Sequence, residues 1–329
     1  MPRALALFLL LGACAAPDPQ DDGAVPDFAI EDAPVWTVDG IRVATFNGEF
    51  LFDGVGDEGE ATFDWKGDPA KARAHRDAVG AVVRSLDADL VVMPETEHLE
   101  ALQMLVDESL ADMGYRAVLV DGLDSFTGQD VGLLSRFPIE DAGRTNLRLP
   151  VGISDQTYGV SKNLWARLTL PDGTPVTVIG VHFLARPDAV DRRDRRETQA
   201  EVIRQLVEDE QAAGREIIAL GDFNDLDEAV LDRRGSVPIT DVMATVKRAG
   251  PSPDDDLVNV LGDVPQAQRF TSFYDRDRDG AFDRGEFLAI DHVLLSPALY
   301  RRVLEVRYVH AHDPRRVSDH FPVVVTLAE

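Results

Sequence analysis

Short apolar runs closed by polar clusters recur along this chain, and they confine it to a fold built from buried strands. The clearest is Glu216-Ile217-Ile218-Ala219-Leu220, with glycine at 214 and 221, which leads into Gly221-Asp222-Phe223-Asn224. A run this short and this apolar reads as a strand buried in a sheet. Segments 41–46, 89–93, 116–120, 131–135, 164–170, 176–181, 270–274, 287–295, 304–309 and 323–327 read as further strands. Helices are expected at 69–86, with Asp68 as cap and Pro69 at the first position, at 99–113, and at 191–213. The inward face of the first helix is expected to hold Ala74, Ala78, Val82 and Leu86. Residues 146–162 read as a surface loop, and 225–265 as mixed helix and loop. Strands outnumber helices and several follow one another directly. That favours packed sheets covered by helices over a regular alternation of strand and helix. No internal repeat is visible, and no linker divides 36–329.

The polar residues at the strand ends form a second pattern. Asp222 and Asn224 have period-2 spacing and point the same way on an extended backbone. Alone they fit a site or a strand-end Asx turn equally well. Other strand ends carry Asn47, Glu49, Glu95, His182, Asp291, Asp319 and His320. Carboxylates, amides and imidazoles without cysteine suit a hard cation such as Mg²⁺ or Mn²⁺ and proton transfer beside it. Together they describe hydrolysis of a phosphate ester. Each has a plainer reading: Glu95 as a helix cap, Asn47 as a turn residue, His182 as a satisfied strand-end histidine, and Asp319 with His320 as the opening of the last strand. His292 faces away from Asp291 and reads as structural.

Charge and length bound the partners. The 329 residues include 33 basic and 59 acidic ones, for a net charge of −26. Such a chain repels polyanions at long range, which disfavours tight non-specific binding of long duplex DNA. The single cysteine precludes an internal disulfide. That cysteine, Cys14, follows a basic start and an apolar stretch too short to span a bilayer. Leu11-Gly12-Ala13-Cys14 resembles a bacterial lipobox. The resemblance implies a lipoprotein-type signal peptide at 1–13 and lipidation of Cys14; an ordinary cleaved signal is the other reading. Residues 14–35 read as an acidic tether, and 36–329 as the domain. The expected location is outside the cytoplasm, anchored by lipid to the bacterial envelope at the outer membrane or periplasmic face, or otherwise secreted. Membrane contact is expected only through that anchor, and the protein is expected to be a monomer.

Seven blocks occur in order: Ala-Thr-Phe-Asn-Gly-Glu at 44–49, Asp-Leu-Val-Val-Met-Pro-Glu at 89–95, Gly-Leu-Leu-Ser-Arg-Phe-Pro-Ile at 132–139, Val-His at 181–182, Gly-Asp-Phe-Asn at 221–224, Ile-Asp-His-Val-Leu-Leu-Ser-Pro at 290–297 and Ser-Asp-His-Phe-Pro-Val at 318–323. The chain thereby resembles the endonuclease/exonuclease/phosphatase superfamily with its deoxyribonuclease-I-like fold. The resemblance implies a four-layer α/β sandwich of two packed mixed β-sheets flanked by helices, with the site at one end. It implies Glu95 as the main metal ligand, with Asn47 and Glu49 nearby and Asp319 completing the site or positioning metal-bound water. It implies Asp222 as the group that activates or orients the attacking water, Asn224 as a phosphate contact, His320 as a phosphate contact fixed by Asp291, and His182 at the phosphate or the leaving oxygen. Asp130 is a weaker carry-over as a partner for His182. Phe50 stands where many members carry asparagine, and Lys162 where many carry arginine, so the substrate is the open question. Nucleic acid, a nucleotide, and a phospholipid or other small phosphate ester all remain possible. No obvious hydrophobic loop for capturing membrane lipid is present.

Two charged stretches stand apart. Asp275, Asp277, Asp279, Ala281 (through its carbonyl), Asp283 and Glu286 fit the twelve-residue EF-hand loop over 275–286, with Gly280 at the bend. Strands flank it, so the loop would close a hairpin around Ca²⁺ and position Asp291. The competing reading is an acidic hairpin screened by three arginines. Arg192, Arg193, Arg195 and Arg196 read as a solvated helix face paired with Asp191, Asp194 and Glu197. The class-level alternative to an enzyme is a non-catalytic calcium-binding surface module on the same fold.

Overall fold

A computed structural model describes residues 29–56, 59–248, 250 and 252–329. The expected signal peptide, Cys14 and most of the expected tether therefore lie outside the described residues. In the part of the tether that is described, Glu31 donates its N–H to the carbonyl of His310.

Among the described residues sixteen strands follow in chain order: β1 Ile41–Thr45, β2 Leu90–Thr96, β3 Arg116–Leu119, β4 Asp130–Ser135, β5 Ile139–Gly143, β6 Leu149–Pro150, β7 Thr157–Tyr158, β8 Lys162–Thr169, β9 Pro175–His182, β10 Glu216–Asp222, β11 Val258–Asn259, β12 Ser272–Phe273, β13 Phe287–Leu288, β14 Asp291–Leu295, β15 Val303–Tyr308 and β16 Val323–Leu327. Five α-helices accompany them: α1 Pro69–Leu86, α2 Leu99–Ser109, α3 Arg193–Ala212, α4 Val242–Lys247 and α5 Pro297–Tyr300. One sheet has the order β15-β16-β1-β2-β4-β3, the other β11-β14-β10-β9-β8-β5. Each mixes parallel and antiparallel pairs.

The layering follows from period-2 alternation in strands that are apolar on both faces. Val43, Leu90, Val92, Val178, Leu220 and Val293 point between the sheets and fill the central core. Their neighbours Ala44, Val91 and Met93 point outward to meet Val79, Val83, Leu102 and Leu105 of α1 and α2. On the other side Ile179, Ile217 and Ala219 meet Ala200, Ile203 and Val207 of α3. Burial of each large aliphatic side chain contributes roughly 1.5–3 kcal/mol. The expected four-layer α/β sandwich is the observed fold.

Local expectations were met unevenly. Helix α1 runs from Pro69 with Asp68 accepting from the N–H of Lys71. Its buried face, however, holds Ala72, His75, Val79, Val83 and Leu86, while Ala74 is exposed and Ala78 and Val82 only half-buried. The stripe is displaced because His75 and Arg76 lie inside it; Arg76 reaches the Phe52 carbonyl and Glu108. Helix α2 ends at Ser109, before the expected stop. The loop between β5 and β8 contains the small β6–β7 hairpin. The basic helix face is corrected at one position. Arg193 pairs with Glu197, but Arg196 is fully buried on Asp225 at 3.0 Å.

Candidate active site

Strand register assembles several of the expected site residues. Asp222 pairs with His182 across β10 and β9, and with Asp291 across β10 and β14; His182 in turn pairs with Lys162 of β8. Register partners project from the same face. Lys162, His182, Asp222 and Asp291 therefore form one row across four strands at one end of the sheet. Gly221 lets β10 lie close to β9, since a Cβ there would meet the Val181 carbonyl oxygen at 2.2 Å.

The facing sheet supplies the remaining groups from its strand ends. A bulge between Pro94 and Thr96 breaks the β2–β4 ladder, and Glu95 adopts φ +61°. Its carboxylate accepts from Asn47 Nδ2 at 3.1 Å, the Phe50 N–H at 3.1 Å and Gln129 Nε2 at 2.6 Å. Asn47 Nδ2 also lies 3.3 Å from Asp222 Oδ2, which ties the two sheets together at the site. Asn224 holds Asp222 through its N–H at 2.8 Å and its Nδ2 at 3.0 Å. His182 Nε2 stands 3.5 Å from Asp222 and 3.8 Å from Glu95. His320 Nδ1 meets Asp291 Oδ2 at 2.7 Å, and its Nε2 faces Asp319 at 3.8 Å and Asp222 at 3.9 Å. Glu49 Oε2 accepts from the Asp319 N–H at 3.3 Å. The nine expected site residues thus come together. Glu49, Phe50, Glu95 and Asn224 all have positive φ, a backbone cost of about 1–3 kcal/mol each that a rigid frame must sustain.

Burial first, and then the crowding of like charges, set the protonation. Burial, with Asp291 beside it, pushes the Asp222 carboxyl up to about 8. Burial and the neighbouring Asp319 and Glu95 push Glu49 up to about 8 as well. Asp319 rises to about 6 through burial, against the pull of His320. Burial opposes the His320 charge, but Asp291, Asp319 and Asp222 outweigh it and hold the imidazolium well above its usual range. His182 moves the other way, well down, through burial with Lys162 and His320 nearby. Acidic and basic oxygen and nitrogen donors of Glu95, His182 and Asp222 cluster closely enough for one ion, and so do those of Asp222, Asp291 and His320. Asp291 Oδ1 is buried without a hydrogen-bond partner among the described residues. A divalent cation fits this donor set, because it would relieve the carboxylate crowding.

Asp130 does not orient His182. Its carboxylate accepts the Gly122 N–H at 2.8 Å, and His182 Nδ1 is buried without a partner among the described residues. Lys162 bonds Gln129 at 3.2 Å and pairs with Asp124 at 3.6 Å. His292 is structural as expected, facing the Asp225 carbonyl and Asn259. Several supporting residues lie outside the nine, and of these only Ser318 falls within one of the seven sequence blocks. Gln129 fixes Glu95. Thr271 Oγ1 accepts the N–H groups of Ile290 and Asp291 at 3.0 and 2.9 Å. Ser318 Oγ donates to the Asn47 carbonyl at 2.7 Å, and His75 Nε2 meets the Gly48 carbonyl at 2.8 Å.

In the acidic loop, Asp275, Asp277 and Glu286 approach one another, as do Asp277, Asp279 and Asp283. Gly280 takes φ +75° at the bend. Glu286 accepts the N–H groups of Arg276 and Asp283. Beyond the loop, Phe273 donates its N–H to the Asp319 carbonyl, and Phe321 to that of Thr271. The hairpin is thus bonded directly to the His320 segment. A cleft of about 840 Å³ opens from Asp222 and His320 between this hairpin and the loops after β9 and β10.

A model of the Endonuclease/Exonuclease/phosphatase family matches residues 44–320. No curated protein matches the sequence. Similar solved structures include a 3' phosphatase from Neisseria bound to a product DNA hairpin, at 21% identity over 88% of this chain and 100% of that one, with a TM-score of 0.56. An endonuclease/exonuclease/phosphatase family protein from Bacteroides thetaiotaomicron is 17% identical over 89% and 98% of the two chains, with a TM-score of 0.56. The human Nocturnin catalytic domain with bound sulfate is 17% identical over 91% and 96%, with a TM-score of 0.54. At these identities the likeness establishes the fold.

Proposed function

This chain belongs to the Endonuclease/Exonuclease/phosphatase family, and on that premise we propose that it is a divalent-metal-dependent phosphoesterase whose reaction runs on the row His182–Asp222–Asp291 with His320. The observation that carries the reading is the pairing of a buried His320–Asp291 dyad, at 2.7 Å, with Asp222 facing its other nitrogen. Asp222 takes the proton from the attacking water, steadied by Asn224 and Asn47. His320, held charged by its carboxylate neighbours, donates from Nε2 to a phosphoryl oxygen. His182 stays neutral and offers Nε2 to the phosphate or the leaving oxygen. Asn224 steadies a phosphate oxygen. Glu95, with Asn47, Glu49 and Asp319, would hold Mg²⁺ or Mn²⁺, which when bound supplies positive charge against the developing phosphoryl charge.

Hydrolysis of bis-p-nitrophenyl phosphate with Mg²⁺, compared with Asp222→Ala and His320→Ala, tests this. Each variant is expected to lose roughly 10²–10⁴-fold in rate. Equal rates in all three would favour the non-catalytic surface module instead. The Neisseria relative, described as a 3' phosphatase with a DNA product, supports nucleic acid or nucleotide phosphates as the first substrates to try.

We also propose that the loop 275–286 binds Ca²⁺. No ion pair joins its carboxylates to Arg276, Arg278 or Arg284 among the described residues, and Arg284 instead donates to the Arg233 carbonyl. This favours an ion over arginine screening. Calcium is expected to raise the melting temperature; a titration that moved neither stability nor activity would remove the idea. Export, a lipid anchor at Cys14 and a monomeric state complete the reading. Among the described residues no helix is long and apolar enough to cross a membrane. Mass spectrometry of the mature N-terminus tests the anchor, and light scattering the monomer.

A further inference from the structure

The cleft beyond the site carries arginines with no ion-pair partner among the described residues. Arg186, Arg234 and Arg276 line it from three separate segments, the loops after β9 and β10 and the hairpin 271–290. None has a carboxylate within ion-pair distance among the described residues. Carboxylates are abundant in this chain, 59 against 33 basic residues, and some arginines elsewhere capture them, as Arg76 does Glu108 at 3.0 Å; what sets these three apart is that they converge on one cleft. Of the carboxylates on these walls away from the centre, Glu286 already accepts two backbone N–H groups, leaving Asp188 as the opposing charge.

The arrangement is also held in place. Arg186 has φ +71°, and its carbonyl accepts from Nη1 of the buried Arg196 at 2.6 Å, while Nη2 takes the Pro187 carbonyl at 2.7 Å. Asp225, the partner of Arg196, accepts from Thr240 at 2.7 Å, so one buried pair anchors the loops on two sides of the cleft. Beside the arginines, Tyr274 lies 67% exposed and Val237 72% exposed along the same walls. A free guanidinium is shaped for bidentate contact with phosphate, and an exposed ring for stacking on a base.

We propose that this cleft is a subsite for a nucleotide unit adjoining the scissile phosphate, with Arg186, Arg234 and Arg276 taking a second phosphate and Tyr274 its base. The inference rests on the phosphoesterase reading and adds the substrate class. That unit can be a free nucleotide or the end of a single strand, and both present the same chemistry.

The test uses the p-nitrophenyl ester of thymidine 5'-phosphate with and without a 3'-phosphate, assayed on the full domain with Mg²⁺. The ester with the second phosphate is expected to show a kcat/KM about tenfold higher, the size of one charge-assisted contact. The ratio should fall toward one in the Arg186→Gln, Arg234→Gln, Arg276→Gln triple variant, with folding checked by its circular dichroism spectrum. Tyr274→Ala should weaken both esters relative to bis-p-nitrophenyl phosphate. Competition by thymidine 3',5'-bisphosphate and by a short oligothymidylate separates nucleotide from strand end. Turnover of both esters with no preference in the wild type would overturn the subsite. If no ester is cleaved, the phosphoesterase reading falls, and calorimetry with thymidine 3',5'-bisphosphate still decides the subsite: binding lost in the triple variant upholds it, and no binding overturns it.

Discussion

Asp222 and Asp291 are register partners on antiparallel strands β10 and β14, so two carboxylates enter one buried space side by side. Such a pair cannot easily carry both charges without a cation or imidazolium between them. His320 is bonded to one and faces the other. The charge balance of the site follows from that single register.

The first prediction concerns pH. With divalent ions removed by chelation, Asp222 and Glu49, both pushed up to about 8, bind protons more tightly folded than unfolded. Their contribution to stability is fully present below the ordinary carboxyl range, near pH 4, and is lost as pH rises toward about 8. The melting temperature of the metal-free protein should fall across that window, and less steeply in Asp222→Asn and Glu49→Gln. Added Mg²⁺ should raise it more at pH 8 than at pH 5. Scanning calorimetry reads all of these, and a flat profile would contradict the crowding argument.

Gln129 should tune the metal. Its Nε2 lies 2.6 Å from Glu95 and its Oε1 accepts from Lys162 at 3.2 Å. Gln129→Leu leaves Glu95 intact but with two of its three donors, Asn47 and the Phe50 N–H. The Mg²⁺ concentration for half-maximal activity should rise roughly 10–100-fold, the usual effect of losing a group behind a ligand.

Thr271→Val removes one hydroxyl oxygen with little change of shape. Two buried N–H groups, of Ile290 and Asp291, then lack their acceptor. Stability should drop by about 1–3 kcal/mol. Because Asp291 begins β14 there, kcat should fall more than KM changes, which steady-state kinetics on bis-p-nitrophenyl phosphate would show.

Arg196→Ala should be among the more damaging changes far from the reacting atoms. It leaves Asp225 buried and uncompensated, and frees the carbonyls of Arg186 and Pro187. A loss of about 3–5 kcal/mol is expected on chemical denaturation. Because the loops on two sides of the cleft lose their anchor, KM should rise in whatever protein remains folded.

Much of the site was legible because its residues sit where apolar runs stop. Asn47, Glu95, His182, Asp222 and His320 announce themselves as polar groups at strand ends, and their types point to a cation and a proton. The supporting groups gave no such sign. Gln129 and Thr271 are unremarkable in composition and context, and matter only because Glu95 and Asp291 come to lie against them. Arg196 looked like one of a solvated basic run, since nothing local distinguishes it from Arg193 and Arg195. Its burial depends on Asp225, a residue on a different element.

Local chemistry along the chain was enough to locate most of the long strands and the polar residues at their ends, because alternation and punctuation act over a few residues, while short β6, β7 and β11 and edge strand β5 carried too little pattern to be read. Tertiary structure alone decided the row His182–Asp222–Asp291, the bulge that turns Glu95 inward and the free arginines of the cleft. Register and charge pairing join residues far apart in sequence, and only the packed sheets bring them within a few ångströms.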